Sequence, residues 1–108
     1  MEKELNKAIA GYFAAANAHD STGLTECFAA NAVVEDEDHI YRGIEAIQTW
    51  NEETSRGYAL SLQVLRAQEL GAEVAVTALA SGNFDGSPAE LHFRFALEKG
   101  KITRLICG

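Results

Sequence analysis

Proline is almost missing from this chain: Pro88 is the only one in 108 residues. No proline-rich linker divides it, and the length predicts one domain spanning residues 1–108. Cysteine is scarce as well. Cys27 and Cys107 are too few and too far apart for a disulfide framework or a zinc site. Both sit in apolar patterns, which predicts buried free thiols. Basic residues are outnumbered, nine Lys and Arg against sixteen Asp and Glu, for a net charge of -7. That balance argues against partners rich in phosphate, both nucleic acids and anionic membranes. No apolar run approaches the roughly 18–20 residues of a membrane span. The opening Met1-Glu2-Lys3-Glu4 is charged with no apolar core behind it, so a cytoplasmic, reducing setting is expected. His19, His39 and His92 show no metal-ligand spacing.

What is present is a pattern of helices followed by strands. Leu5, Ile9, Tyr12, Phe13 and Ala16 form one apolar stripe, which predicts a helix over residues 2–18. Asn17 and His19 loosen its end. Asp20 or Ser21 can cap a second helix running to about Ala30, with Leu24, Cys27 and Phe28 inward. Ala32 to Asp36 reads as a short strand. Gly43 breaks the chain, and Ile44 to Arg56 reads as a third helix with Ile44, Ile47 and Trp50 on one face and Gly57 as its stop.

The second half alternates with period two. Tyr58, Leu60, Leu62 and Val64 share one strand face; Val74, Val76, Ala78 and Ala80 share another; Leu91, Phe93, Phe95 and Leu97 a third. Lys101 to Cys107 closes the set. Leu70-Gly71, Asp85-Gly86 and Lys99-Gly100 supply the turns. The result is an α+β pattern: three N-terminal helices, then an antiparallel meander. Around Val76 both strand faces are apolar, since Ala75 and Leu79 lie opposite Val76 and Ala78. One face packs on the helices; a homodimer through the outer face is the simplest cover for the other.

Three stretches carry a resemblance. They are the Tyr12-containing first helix ending at His19-Asp20, the run Phe28-Ala29-Ala30-Asn31-Ala32-Val33-Val34-Glu35-Asp36, and Tyr41-Arg42-Gly43 with Ile44-Glu45-Ala46-Ile47 after it. With the closing strands, they make the chain similar to the SnoaL-like and ketosteroid isomerase branch of the nuclear transport factor 2-like superfamily. The resemblance implies a curved antiparallel sheet closed by three helices into a cone with a deep pocket. In ketosteroid isomerases an aspartate shuttles a proton next to a carbonyl, while a tyrosine hydrogen-bonds the developing enolate. Asp36 and Tyr12 match these two positions.

A carboxylate in an apolar pocket is a better base than one in water, and a phenol aimed at the oxygen stabilises charge where it develops. Strand parity sets Asp36 on the side of Val34, with Glu35 and Glu37 facing out. The blander readings are a solvated Asp36 in an acidic loop and a core Tyr12. The resemblance also implies a second, protonated acid beside the tyrosine. Here that position holds Phe93 or, with a longer turn, His92.

The pocket walls implied are Phe28, Val34, Trp50, Tyr58, Leu62, Val76, Phe93 and Phe95. The expected ligand is a small apolar or polycyclic molecule, with no cofactor and no metal. The expected function is a proton shift next to a carbonyl, as an isomerase. The alternatives are a non-catalytic small-molecule binder and a dimerising module whose pocket Trp50, Phe93 and Phe95 fill.

Overall fold

The fold is read from a computed structural model that describes residues 6–58 and 60–107, and only the backbone of 55–58. The helix expected over residues 2–5, Leu5 included, lies outside the described residues, as do Ala59 and the Tyr58 side chain.

The first helix, α1, spans Lys7–Asn17. Asn6 caps it, its side-chain oxygen accepting from the Ala8 amide at 2.8 Å. The apolar stripe is buried: Ala8, Ile9, Tyr12, Phe13 and Ala16 all face inward. Asn17 does not loosen the end. It clamps the chain 45 residues away, donating to the Leu62 carbonyl at 2.8 Å and accepting from the Leu62 amide at 2.7 Å.

Helix α2, Ser21–Thr25, is capped by Asp20, which accepts from the Gly23 amide at 3.0 Å. It stops well short of Ala30, because the next residues are claimed by a sheet. Strand β1 runs Phe28–Asp36, and its entry is fixed by the Ile102 amide donating to the Cys27 carbonyl at 2.9 Å. An unanticipated strand, β2, follows at His39–Arg42. The turn between them is Glu37-Asp38, both at positive φ, with Asp36 paired to His39. Of the acidic residues Glu35 to Asp38, the first two therefore end β1 and the last two make a two-residue hairpin turn.

Gly43 sits at φ +86°, a conformation that side-chain-bearing residues rarely adopt, and turns the chain into α3, Ile44–Tyr58. Gly57 does not stop this helix, which continues one residue beyond it. The remaining strands are β3 Ser61–Leu70, β4 Glu73–Ser81, β5 Ala89–Glu98 and β6 Lys101–Cys107. Gly71, Gly86 and Gly100 all take positive φ in the turns.

These strands form one open six-stranded sheet in the order β2-β1-β6-β5-β4-β3. The pairing of β1 with β6 is parallel and the others are antiparallel. Register shifts in β1, β3 and β6 pairings mark irregularities that bend the strands. The helices lie on the concave face. Tyr12 and Phe13 of α1 meet Phe93 and Phe95 edge-on, with Tyr12–Phe95 centroids at 5.5 Å and Phe13–Phe93 at 5.4 Å. Ile9, Leu24, Ile47, Phe95, Ile102 and Leu105 are fully buried around them, each contributing roughly 1.5–3 kcal/mol by leaving water.

The outer face is mixed. Ala75 and Leu79 are there, but so are Arg66 with Glu90 at 3.4 Å, Arg94 with Glu73 at 3.6 Å, and Arg104 with Glu35. Among the described residues, no helix is long and apolar enough to cross a membrane.

Candidate functional site

The site lies where α1 and α3 leave the concave face incompletely covered. Val34 is fully buried, so two residues on, at the last position of β1, Asp36 points to the same side. Glu35, between them, faces out and pairs with Arg104. The partner of Asp36 comes from α3: the Trp50 indole N–H donates to Asp36 Oδ2 at 2.9 Å. Trp50 is itself braced by Tyr41 of β2, ring centroids 6.2 Å apart.

Two cavities meet at this pair. The larger, about 590 Å³, is lined by Asp36, Glu37, Tyr41, Trp50, Glu53, Thr54, Leu60, Ala80, Phe84, Leu91 and Cys107. That is the size range of small-molecule sites. The smaller, about 70 Å³, continues inward and adds Tyr12, Ala16, Asn51, Leu62 and Phe93 to a shared wall that includes Asp36, Trp50 and Cys107. It holds about two waters' worth of space. Tyr12 is 3 % exposed, and among the described residues nothing hydrogen-bonds its hydroxyl, which opens to the inner cavity.

Electrostatics binds three of these groups together. Burial first, then the neighbouring Cys107 and Asp36, hold the Tyr12 phenol well above its usual range. Burial first, then Asp36, pushes the Cys107 thiol up. Both groups are therefore neutral at physiological pH, the phenol as an O–H donor and the thiol as S–H. Among the described residues, no group of three His, Cys, Asp or Glu is arranged to hold a metal ion.

A sequence profile for the SnoaL-like domain matches residues 9–105. The chain belongs to the SnoaL-like domain family. Among solved structures, this SnoaL-like chain is similar to a candidate polyketide cyclase from Sinorhizobium meliloti, with 34% identity, 96% of this chain and 95% of that one covered, and a TM-score of 0.93. A protein of ketosteroid isomerase-like fold from Catenulispora acidiphila, in complex with trimethylamine, shares 19% identity over 97% and 86% of the two chains, with a TM-score of 0.85. An NTF2-like protein of unknown function from Cytophaga hutchinsonii shares 18% identity over 100% and 93%, with a TM-score of 0.80. These last two show a common fold. Among curated proteins, none matches.

In this SnoaL-like domain the structure brings Asp36, Tyr12, Trp50, Leu62 and Phe93 to the cavity walls. Phe28, Val34, Val76 and Phe95 line neither cavity. They are core residues: Phe28 packs on Tyr12 from behind, centroids 6.0 Å apart, and Phe95 lies beneath Tyr12 and Phe13. The position beside the tyrosine is Phe93, at 6.4 Å between ring centroids. His92 points to the outer face, against Thr77 Oγ1 at 3.3 Å.

Glu37 is exposed, as expected, and it also lines the mouth of the larger cavity. Sequence reasoning missed Tyr41, Glu53, Thr54, Leu60, Ala80, Phe84, Leu91 and Cys107. For some of these a signal existed. Cys107 is two residues from buried Leu105, Leu91 two from buried Phe93, and Thr54 one helical turn from buried Trp50.

Proposed function

We propose that this domain binds a small, largely apolar carbonyl compound and shifts a proton beside the carbonyl without a cofactor, as an isomerase. What carries the reading is one observation: Asp36 and Tyr12 line the same inner cavity, and Asp36 also lines the larger cavity that it meets. Trp50 occupies Oδ2 of Asp36, and no described donor takes Oδ1. That oxygen removes a proton from the carbon next to the carbonyl. The electron pair moves onto the carbonyl oxygen, where the Tyr12 hydroxyl donates to the enolate. Return of the same proton to the far carbon of the enolate completes the shift and restores the carboxylate. Leu60, Leu91 and Phe84 give the cavity apolar walls beside the reacting carbon.

The expected outcome of Asp36→Asn is a loss of about 10²–10⁴-fold in isomerisation of a β,γ-unsaturated cyclic ketone, followed by ultraviolet absorbance of the conjugated product. An unchanged rate removes the base. Phe93, in place of a second donor, favours a second reading, a non-catalytic binding module; recovery of an inert ligand by native mass spectrometry would support it. An open volume of about 590 Å³ beside Asp36 speaks against the reading in which side chains fill the pocket.

The free thiols of Cys27 and Cys107 support a reducing, cytoplasmic setting, which fractionation would test. Ala75, Leu79 and Ile106 on the outer face support a homodimer, which sedimentation equilibrium would read. A monomer at micromolar concentration would remove it.

A further inference from the structure

The lining of the large cavity is unbalanced in charge. Asp36, Glu37 and Glu53 are on its wall, and among the described residues no Lys, Arg or His is. Glu37 and Glu53 stand at the exposed mouth, while Asp36 is half-buried deeper in. The same wall carries aromatic rings. Tyr41 and Trp50 lie 6.2 Å apart and tilted by 39°, and Phe84 lines the same cavity. An anionic ligand is repelled by such a wall. A neutral one gains nothing from two carboxylates at the mouth. A cation gains from the carboxylates and from the ring faces together.

The floor has the opposite polarity. Tyr12 is 3 % exposed as a residue, and its hydroxyl, without a partner among the described residues, opens into the inner cavity as a donor. The inner end thus carries the Tyr12 donor beside Asp36, and the outer end carries the carboxylates of Glu37 and Glu53.

We propose that the ligand of this pocket is bipolar: a carbonyl oxygen at the inner end, directed at Tyr12, and an alkylammonium group at the outer end, held by Glu37, Glu53 and the Tyr41–Trp50 faces. This rests on the reading of the cavity as a carbonyl-compound site and adds the class of compound. The carboxylates act at a distance through solvent, so their part is screened by salt; the ring faces hold the cation at short range, and their part persists.

The test uses two cyclohexenones of the same shape, one with a trimethylammoniomethyl arm and one with a neopentyl arm. They differ only in charge. Trp50 is the only tryptophan in the chain and lines both cavities, so its fluorescence reports occupancy directly. The cationic probe is expected to bind about ten-fold more tightly at low salt, in line with a cation over aromatic faces plus nearby carboxylates. The Glu37→Gln, Glu53→Gln double variant should lose about three-fold of that preference and most of its salt dependence, with the neopentyl probe unaffected. Equal or tighter binding of the neopentyl probe overturns the cation while leaving the carbonyl-compound reading intact. Binding of neither probe by the wild-type protein overturns both. A preference that survives unchanged in the double variant overturns the role of the two glutamates.

Discussion

Asp36 has one neighbour that decides what its carboxylate does. The Trp50 indole takes Oδ2 at 2.9 Å, which restrains the carboxylate and leaves Oδ1 without a donor among the described residues. A hydrogen bond to a charged group contributes about 1.5–3 kcal/mol. Trp50→Phe keeps a ring against Tyr41 but removes that donor. The expected outcome is a fall of about ten-fold in turnover of the cyclic ketone, with KM changed by less than about two-fold, because the bond orients the base rather than gripping the ligand. Steady-state kinetics checks it, and equal losses in binding and turnover would count against the orienting role. The direction of Asp36 was legible from the chain, since period-two alternation ties it to Val34. The bond to Trp50 was not. The partners are 14 residues apart, on a strand and a helix, and no local pattern records which way an indole N–H points.

At the level of elements, local chemistry was readable where glycine or a capping side chain announces it, and obscure where it does not. The turns at Gly71, Gly86 and Gly100 follow from their sequence. The hairpin at Glu37-Asp38 does not, because both residues take positive φ without a glycine, and the favoured two-residue turns carry one. The second helix was overextended for a different reason. Phe28 to Ala30 is compatible with a helix locally, and pairing with β6 overrides that preference.

Asn17 is the clearest case of an element joint hidden in the sequence. Its amide makes both hydrogen bonds of a strand partner to Leu62, so α1 pins the start of β3, whose Leu62 lines the inner cavity. Asn17→Ala leaves the Leu62 amide and carbonyl with neither bond. The expected cost is about 1–3 kcal/mol, read as a lower urea midpoint at unchanged m-value. Asn17→Asp, which keeps the acceptor alone, should fall between the two. A midpoint equal to wild type for Asn17→Ala would remove the clamp.

At the scale of the whole molecule, the pocket exists because α1 fills one part of the concave face with Tyr12 and Phe13 while α3 packs Ile47 and Trp50 on another, and the space between is left open. The volume depends on the relative placement of helices and a bent sheet, and on the long-range parallel pairing of β1 with β6; the helices-then-strands order was legible, this spacing was not. Such an interior holds two of its weak acids neutral. Tyr12 and Cys107 are both raised by burial above their ordinary values of 10.0 and 9.0. The folded chain therefore holds these two protons, and that of Cys27, whose pKa burial also raises, more tightly than the unfolded chain does. By linkage, the stability tied to these groups is fully present below about pH 9. It declines as the pH rises through 9 and then 10, by up to about 1.4 kcal/mol per pH unit for each group. Urea unfolding across pH 8 to 11 should show this fall. Paired Tyr12→Phe and Cys107→Ala substitutions should make it shallower, whatever they cost in stability at pH 8, with Cys27 left to contribute the remainder. An equally steep fall in the double variant would place the alkaline weakness in other groups, and a flat wild-type profile would mean that water reaches the inner cavity freely enough to let both acids ionise in place.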